Sequence, residues 1–156
     1  MMSASRINFF QLAPANLKAM IALSGSVKQS SLGPRLVEIV QLRVSQINQC
    51  GVCVDMHWRD LIKQGLDPRH VNAIAGWREA PASFFNARER AALGWAEAVN
   101  ALPHQDLTDA AWPALREQFS EQEIAELSYT IAAIRGWNVM NLSLRNQIPE
   151  TPAPGF

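Results

Sequence analysis

Leu36, Ile39, Val40, Arg43, Val44 and Ile47 recur at 3.6-residue spacing, and an aliphatic stripe of that period is buried along one face of an α-helix. Gly33-Pro34 opens this helix, because a proline at the first helical position lacks only an N–H that would be unpaired anyway. The rest of the chain is punctuated in the same way. Pro14 opens an earlier helix carrying Leu17, Met20, Ile21 and Val27 on one face, weakened near its end by Gly25. Asn48-Gln49 breaks the pattern, and a further helix runs from about Cys50 to a C-cap at Gly65. Asp67-Pro68 starts a short helix that fades around Gly76. Ser83 or Asn86 caps the next, which carries Leu93, Ala96 and Val99 and ends before Pro103. Thr108 caps another, disturbed by Pro113. Ser120 and Glu123 fit a capping box for a long last helix through Ile124, Leu127, Ile131, Ile134 and Leu142. Period-two alternation with β-branched enrichment is nearly absent. The pattern predicts an all-α fold, a compact bundle of about seven helices. It also predicts one domain over residues 1–156, with its core over about 14–146 and a Pro-rich tail over 149–156 that frays or lies on a neighbour.

Charge narrows the function. The chain carries 14 basic and 14 acidic side chains, so it has no basic stripe for nucleic acid and no polybasic run for anionic lipid. The start, Met1 to Arg6, leads to no continuous apolar stretch or small-residue cleavage site, and no segment approaches the ~18 apolar residues of a membrane span. A cytoplasmic location is expected, and there two nearby cysteines are catalytic or metal-binding more often than structural. The apolar fraction of 48%, with five tryptophans, is ample for a core and leaves surface for contacts between subunits. Trp58, Trp77, Trp95, Trp112 and Trp137 are assigned to core or subunit contacts, His70 and His104 to the surface, and Arg88-Glu89-Arg90 to a solvated face.

Both cysteines fall in Cys50-Gly51-Val52-Cys53, and His57 follows four residues after the second. On a helix this puts two thiols and an imidazole on one face. A disulfide can close across two residues, and an adjacent base generates the thiolate that reacts. Cys50, near the helix start, has the positive dipole end to favour its thiolate. His57 is the candidate to accept or orient a thiol proton. Two other readings remain open. Cys50, Cys53 and His57, with Glu38 as a fourth donor, could bind zinc. The cysteines could also be small core residues. A c-type haem is excluded, since no histidine directly follows the second cysteine. Glu38 in isolation reads as a carboxylate favoured in the early turns of its helix.

Taken whole, Glu-x6-Ser-x4-Cys-x2-Cys-x3-His, filled by Glu38, Ser45, Cys50, Cys53 and His57, resembles the alkyl hydroperoxidase D family within the carboxymuconolactone decarboxylase superfamily. Flanking stretches are similar too: Leu42 to Asn48, Val54 to His57, Glu89 to Leu93, and Trp137-Asn138. The resemblance implies a compact all-α protein assembled into trimers or hexamers, with thiol-dependent peroxidase activity and neither metal nor other cofactor beyond a redox-active Cys50–Cys53 disulfide. It implies that Cys53 attacks the peroxide and becomes a sulfenic acid, that Cys50 closes the disulfide, that Glu38 and His57 relay protons, and that Ser45 supports the site. Some members carry a histidine immediately before the second cysteine; here Val52 stands there, so the relay is shorter. The decarboxylase branch works without the dithiol, so the cysteines argue against lactone decarboxylation. The expected substrate is a small organic hydroperoxide or hydrogen peroxide, and the expected reductant an external dithiol, a lipoyl group or a thioredoxin-like partner. Two alternatives use the same residues: a disulfide reductase or redox adaptor for a partner protein, and a non-enzymatic redox-sensing or metal-binding assembly module.

Overall fold

The computed structural model describes residues 5–152. The described chain is all-α: α1 (Phe9–Leu12), α2 (Pro14–Lys28), α3 (Pro34–Ile47), α4 (Gly51–Lys63), α5 (Pro68–Ala73), which runs into a 3-10 turn, α6 (Ala87–Ala101), α7 (Thr108–Gln118) and α8 (Glu121–Ser143). The four-residue α1, too short to show a period, is the element that periodicity does not reveal. Residues 153–156 of the Pro-rich tail lie outside the described residues. Among the described residues no helix is long and apolar enough to cross a membrane.

The stripe from Leu36 to Ile47 belongs to the central helix. α3 packs against α4, α6 and α8, and Val37, Ile39, Val40, Leu42 and Val44 are wholly buried on it. Burial of such aliphatic side chains supplies about 1.5–3 kcal/mol each and is the main driving force for the bundle. Glu38, Gln41 and Ser45 are also buried on α3, at positions i, i+3 and i+7. That spacing threads one polar seam through an otherwise apolar helix. A polar group inside a core is retained only where it finds partners, so the seam points to a site.

The helix ends follow local chemistry. Asn86 and Ser120 each form a full capping box, with Glu89 and Glu123 respectively. Hydrogen bonds from Arg88 and from the backbone of Ser120 pull the Glu123 carboxyl down to about 2. α4 stops at Gly65, whose φ of 86° is the left-handed conformation that glycine adopts without a Cβ penalty. Its N–H donates to the Ile62 carbonyl (2.9 Å) and that of Leu66 to the Leu61 carbonyl (3.2 Å), a Schellman ending. Thr108 proves to be the first residue of α7, not its cap; its N–H and hydroxyl both donate to Asp106, and Pro113 is accommodated inside the helix.

Arg88-Glu89-Arg90 is not a solvated face. Glu89 is buried against Arg35, Arg88 reaches the Gln118 carbonyl and Glu123, and Arg90 donates to the carbonyls of Trp77, Ala80 and Phe85. The guanidinium groups serve the loop carbonyls that a helical bundle leaves unpaired between its elements. Trp77, Trp95 and Trp137 are in the core, whereas Trp58 and Trp112 are about two-fifths exposed, at 39% and 42%. His104 is exposed as expected; His70 is partly covered, stacked on Phe84 with ring centroids 3.8 Å apart.

Candidate active site around Cys53

The site begins at the corner between α3 and α4. Gln49 takes a left-handed φ of 60°, its N–H donates to the Gln46 carbonyl (3.2 Å), and that of Cys50 to the Ser45 carbonyl (3.0 Å). This is the same Schellman ending built on a non-glycine residue, a conformation that costs about 1–2 kcal/mol. The tight turn makes Cys50 the N-cap of α4, so it sits one position before the helix and not on it. Cys53 lies in the first turn, where unpaired N–H groups and the helix dipole favour a thiolate. The dipole therefore serves both sulfurs, not Cys50 alone. The two cysteines are joined by a disulfide with Cα atoms 5.4 Å apart, and each is only 1% exposed.

Glu38 crosses from α3 to α4, and its Oε2 lies 2.6 Å from His57 Nδ1. Both groups are buried. An ionised carboxylate can only accept, so Nδ1 carries the proton and a neutral imidazole presents a bare lone pair at Nε2. His57 Nε2 is buried and has no hydrogen-bond partner among the described residues. It lines, together with Cys53, a cavity of about 60 Å³ whose wall also includes Gln41, Asn141, Trp137 and Phe10. Thus Cys53, His57 and Glu38 come together in the fold; Cys50 is tied to them through its sulfur but does not line the cavity.

Ser45 stands in a different place. Its wholly buried hydroxyl accepts from Asn138 Nδ2 (3.2 Å), and Asn138 Oδ1 accepts in turn from Asn48 Nδ2 (2.9 Å). With its carbonyl on Cys50, Ser45 holds the α3–α4 corner against α8.

Three polar side chains at the site are not evident from the motif. Asn141 Nδ2 donates to Cys53 Sγ at 3.4 Å, and its own Oδ1 accepts from Asn146 Nδ2 at 2.9 Å, which fixes the direction of the donor. A donor aimed at sulfur stabilises the thiolate over the thiol. Gln41, 2% exposed, has a buried side-chain oxygen with no partner among the described residues and lines the same cavity. Lys28 places its ammonium 3.6 Å from Glu38 Oε1 and 3.8 Å from Asp60 Oδ2, within ion-pair distance of both carboxylates. Gln41 stands three residues after Glu38, so helical spacing puts the two on one face of α3, although only their burial marks the pair. Asn141 and Lys28 come from distant helices, and no spacing rule connects them to the cysteines.

Glu38, His57 and Asp60 place donor atoms within 4.8 Å of one another, the arrangement among the described residues that could hold a metal. Neither cysteine belongs to it, and the Lys28 ammonium already lies between the two carboxylates. The zinc set formed by the cysteines with His57 and Glu38 is therefore not assembled in this disulfide state.

The model of the carboxymuconolactone decarboxylase family matches residues 14–98. An uncharacterized protein of Bacillus subtilis, YdfG, is 29% identical over 144 residues, which is 92% of this chain and 97% of its own. The crystal structure of a protein of unknown function from Agrobacterium tumefaciens, suggested to be an antioxidant defence protein AhpD, is 36% identical. It superposes with a TM-score of 0.89, covering 95% of this chain and all of that one, 100%. The debrominase Bmp8, solved with 2,3,4-tribromopyrrole, has a TM-score of 0.80 at 20% identity over 90% of this chain and 74% of its own, a likeness of fold alone.

Proposed function

This chain belongs to the carboxymuconolactone decarboxylase family, among its AhpD-like members, and we propose that it is a thiol-dependent peroxidase acting on a small organic hydroperoxide or hydrogen peroxide. The observation that carries the proposal is that Cys53, and not Cys50, shares a cavity with a buried imidazole nitrogen that has no hydrogen-bond partner among the described residues. In the reduced protein His57 Nε2 takes the Cys53 proton, directly or through water, and Glu38 stabilises the imidazolium through Nδ1–H. The Cys53 thiolate attacks the terminal oxygen of ROOH, the O–O bond breaks, and the leaving alkoxide takes the proton back as ROH. Cys53 is then a sulfenic acid. Cys50 loses its proton and its sulfur attacks that of Cys53, the S–O bond breaks as the disulfide forms, and the leaving hydroxyl takes up that proton as water. An external dithiol, a lipoyl group or a thioredoxin-like partner, restores both thiols by exchange. No metal or other cofactor enters the cycle.

Anaerobic titration tests the reading. Reduced protein mixed with a panel of peroxides, with no partner present, is expected to lose two thiols per molecule of peroxide consumed. Loss only in the presence of an oxidised protein would assign the site to a disulfide reductase or adaptor. Tightly bound zinc released as the thiols oxidise would assign it to an assembly module.

The same proposal includes a homo-oligomer, trimer or hexamer. Tyr129, Val139 and Leu142 on α8 are 63%, 62% and 44% exposed, apolar side chains that a contact between subunits would cover. Sedimentation equilibrium is expected to give a multiple of 17.3 kDa at micromolar concentration, and a monomer throughout would remove the assembly.

A further inference from the structure

A hollow of about 510 Å³ lies directly outside the Cys53 cavity, and Phe10, Val52 and Asn141 line both. Those three side chains form a neck. Beyond it the wall is made by Ile7, Asn8 and Ser5 on one side and Asn146, Gln147 and Pro149 on the other. Both sides are held in place. The N–H of Arg6 donates to the Leu144 carbonyl (2.9 Å) and its guanidinium to the Ser143 carbonyl (3.0 Å), which ties the N-terminal arm to the end of α8. Phe10 stacks on buried Phe9 with ring centroids 4.2 Å apart.

The two spaces differ in size and chemistry. The inner cavity, at about 60 Å³, has room for roughly four to six waters at about 10–15 Å³ each, enough for a peroxide head but short of a bulky organic body. The outer one is in the range of small-molecule sites. Among the described residues no charged side chain lines it: its polar groups are carboxamides and one hydroxyl, set among Ile7, Phe10, Val52 and Pro149. A carboxylate or ammonium against this wall would lose part of its hydration, and no charged side chain among the described lining residues would replace it. We propose that this hollow is a substrate subsite, which holds the organic body of an uncharged hydroperoxide while the peroxide head passes the neck to Cys53. The inference rests on the peroxidase reading and names its substrate class: neutral, with a compact aryl or branched alkyl body and groups that can meet a carboxamide.

The test uses the reduced full chain, with stopped-flow oxidation by hydrogen peroxide, cumene hydroperoxide and a hydroperoxy fatty acid bearing a carboxylate. Asn8→Trp, at an exposed position, fills the hollow from one side and Gln147→Trp from the other. Each is expected to lower the ratio of the cumene hydroperoxide rate to the hydrogen peroxide rate by about tenfold or more, the scale of discrimination by an apolar pocket. Asn8→Arg is expected to raise the fatty-acid rate relative to cumene hydroperoxide. Ratios unmoved in all three variants would overturn the subsite. A loss confined to recycling by dihydrolipoamide would also overturn it, by giving the hollow to the reductant. If the wild-type protein reacts with no peroxide, the peroxidase reading fails by itself, and nuclear magnetic resonance titration with cumyl alcohol judges the hollow separately. Binding that Asn8→Trp abolishes keeps it as a site for neutral organic molecules; no binding removes it.

Discussion

Cys53→Ser is expected to slow peroxide consumption on the order of a thousandfold or more, to the background of an unassisted thiol. Cys50→Ser is expected to react once and then stop. The asymmetry follows from position, because both sulfurs sit at the start of α4 and both gain from its dipole. Only Cys53 also lines the cavity with His57 and accepts the Asn141 donor at 3.4 Å. Cys50→Ser should therefore accumulate a sulfenic acid at Cys53, captured by a sulfenate-specific reagent and placed by mass spectrometry. Neither variant should turn over, since neither can form the disulfide that the reductant opens. A sulfenate on Cys50 in Cys53→Ser, with Cys50→Ser inert, would reverse the two roles.

Glu38→Gln and His57→Asn are each expected to slow the first oxidation by roughly ten- to a thousandfold, the range of lost general-base help. His57→Asn removes the nitrogen that takes the thiol proton. Glu38→Gln keeps a side chain of the same shape but loses the charge that stabilises the imidazolium across 2.6 Å. Both residues are buried, so circular dichroism must accompany the kinetics: unchanged helicity with a slowed rate assigns the loss to the chemistry. Unaltered rates in both variants would dissolve the relay. A double variant should lose little more than the worse single one, because two residues acting through one proton are not additive.

The relay spans two helices, His57 on α4 beside the thiols and Glu38 on α3, which accounts for the first residue of the α3 polar seam. Glu38 spends its charge on His57 and Lys28, and Ser45 bonds to Asn138. Gln41, between them, lines the cavity and has a buried side-chain oxygen with no partner among the described residues. A buried carboxylate with a single partner would be costly in a core this apolar; an imidazole on one oxygen and an ammonium near the other lower that cost.

Much of this molecule is determined locally. The 3.6-residue stripe of Leu36 to Ile47, the capping boxes at Asn86 and Ser120 and the left-handed stop at Gly65 act within a few residues of themselves, and the helices form where those signals stand. The disulfide span of Cys50 and Cys53, and the i+4 place of His57, are equally local, since helical geometry sets such distances in advance. Glu38 was legible as a site residue only through the five-residue pattern, because a helix start attracts carboxylates for other reasons. What the fold alone decided is everything that crosses between helices. The left-handed Gln49, an unlikely residue by composition, turns α3 into α4 so that Glu38 meets His57. The approach of α8 brings Asn141 to Cys53 from 88 residues away, and the end of α2 brings Lys28 to Glu38. It also chose which cysteine faces the cavity and walled the hollow with chain from both ends of the protein. Distances along one helix are set by its pitch, whereas distances between helices depend on how whole faces pack, and no short stretch of sequence contains that information.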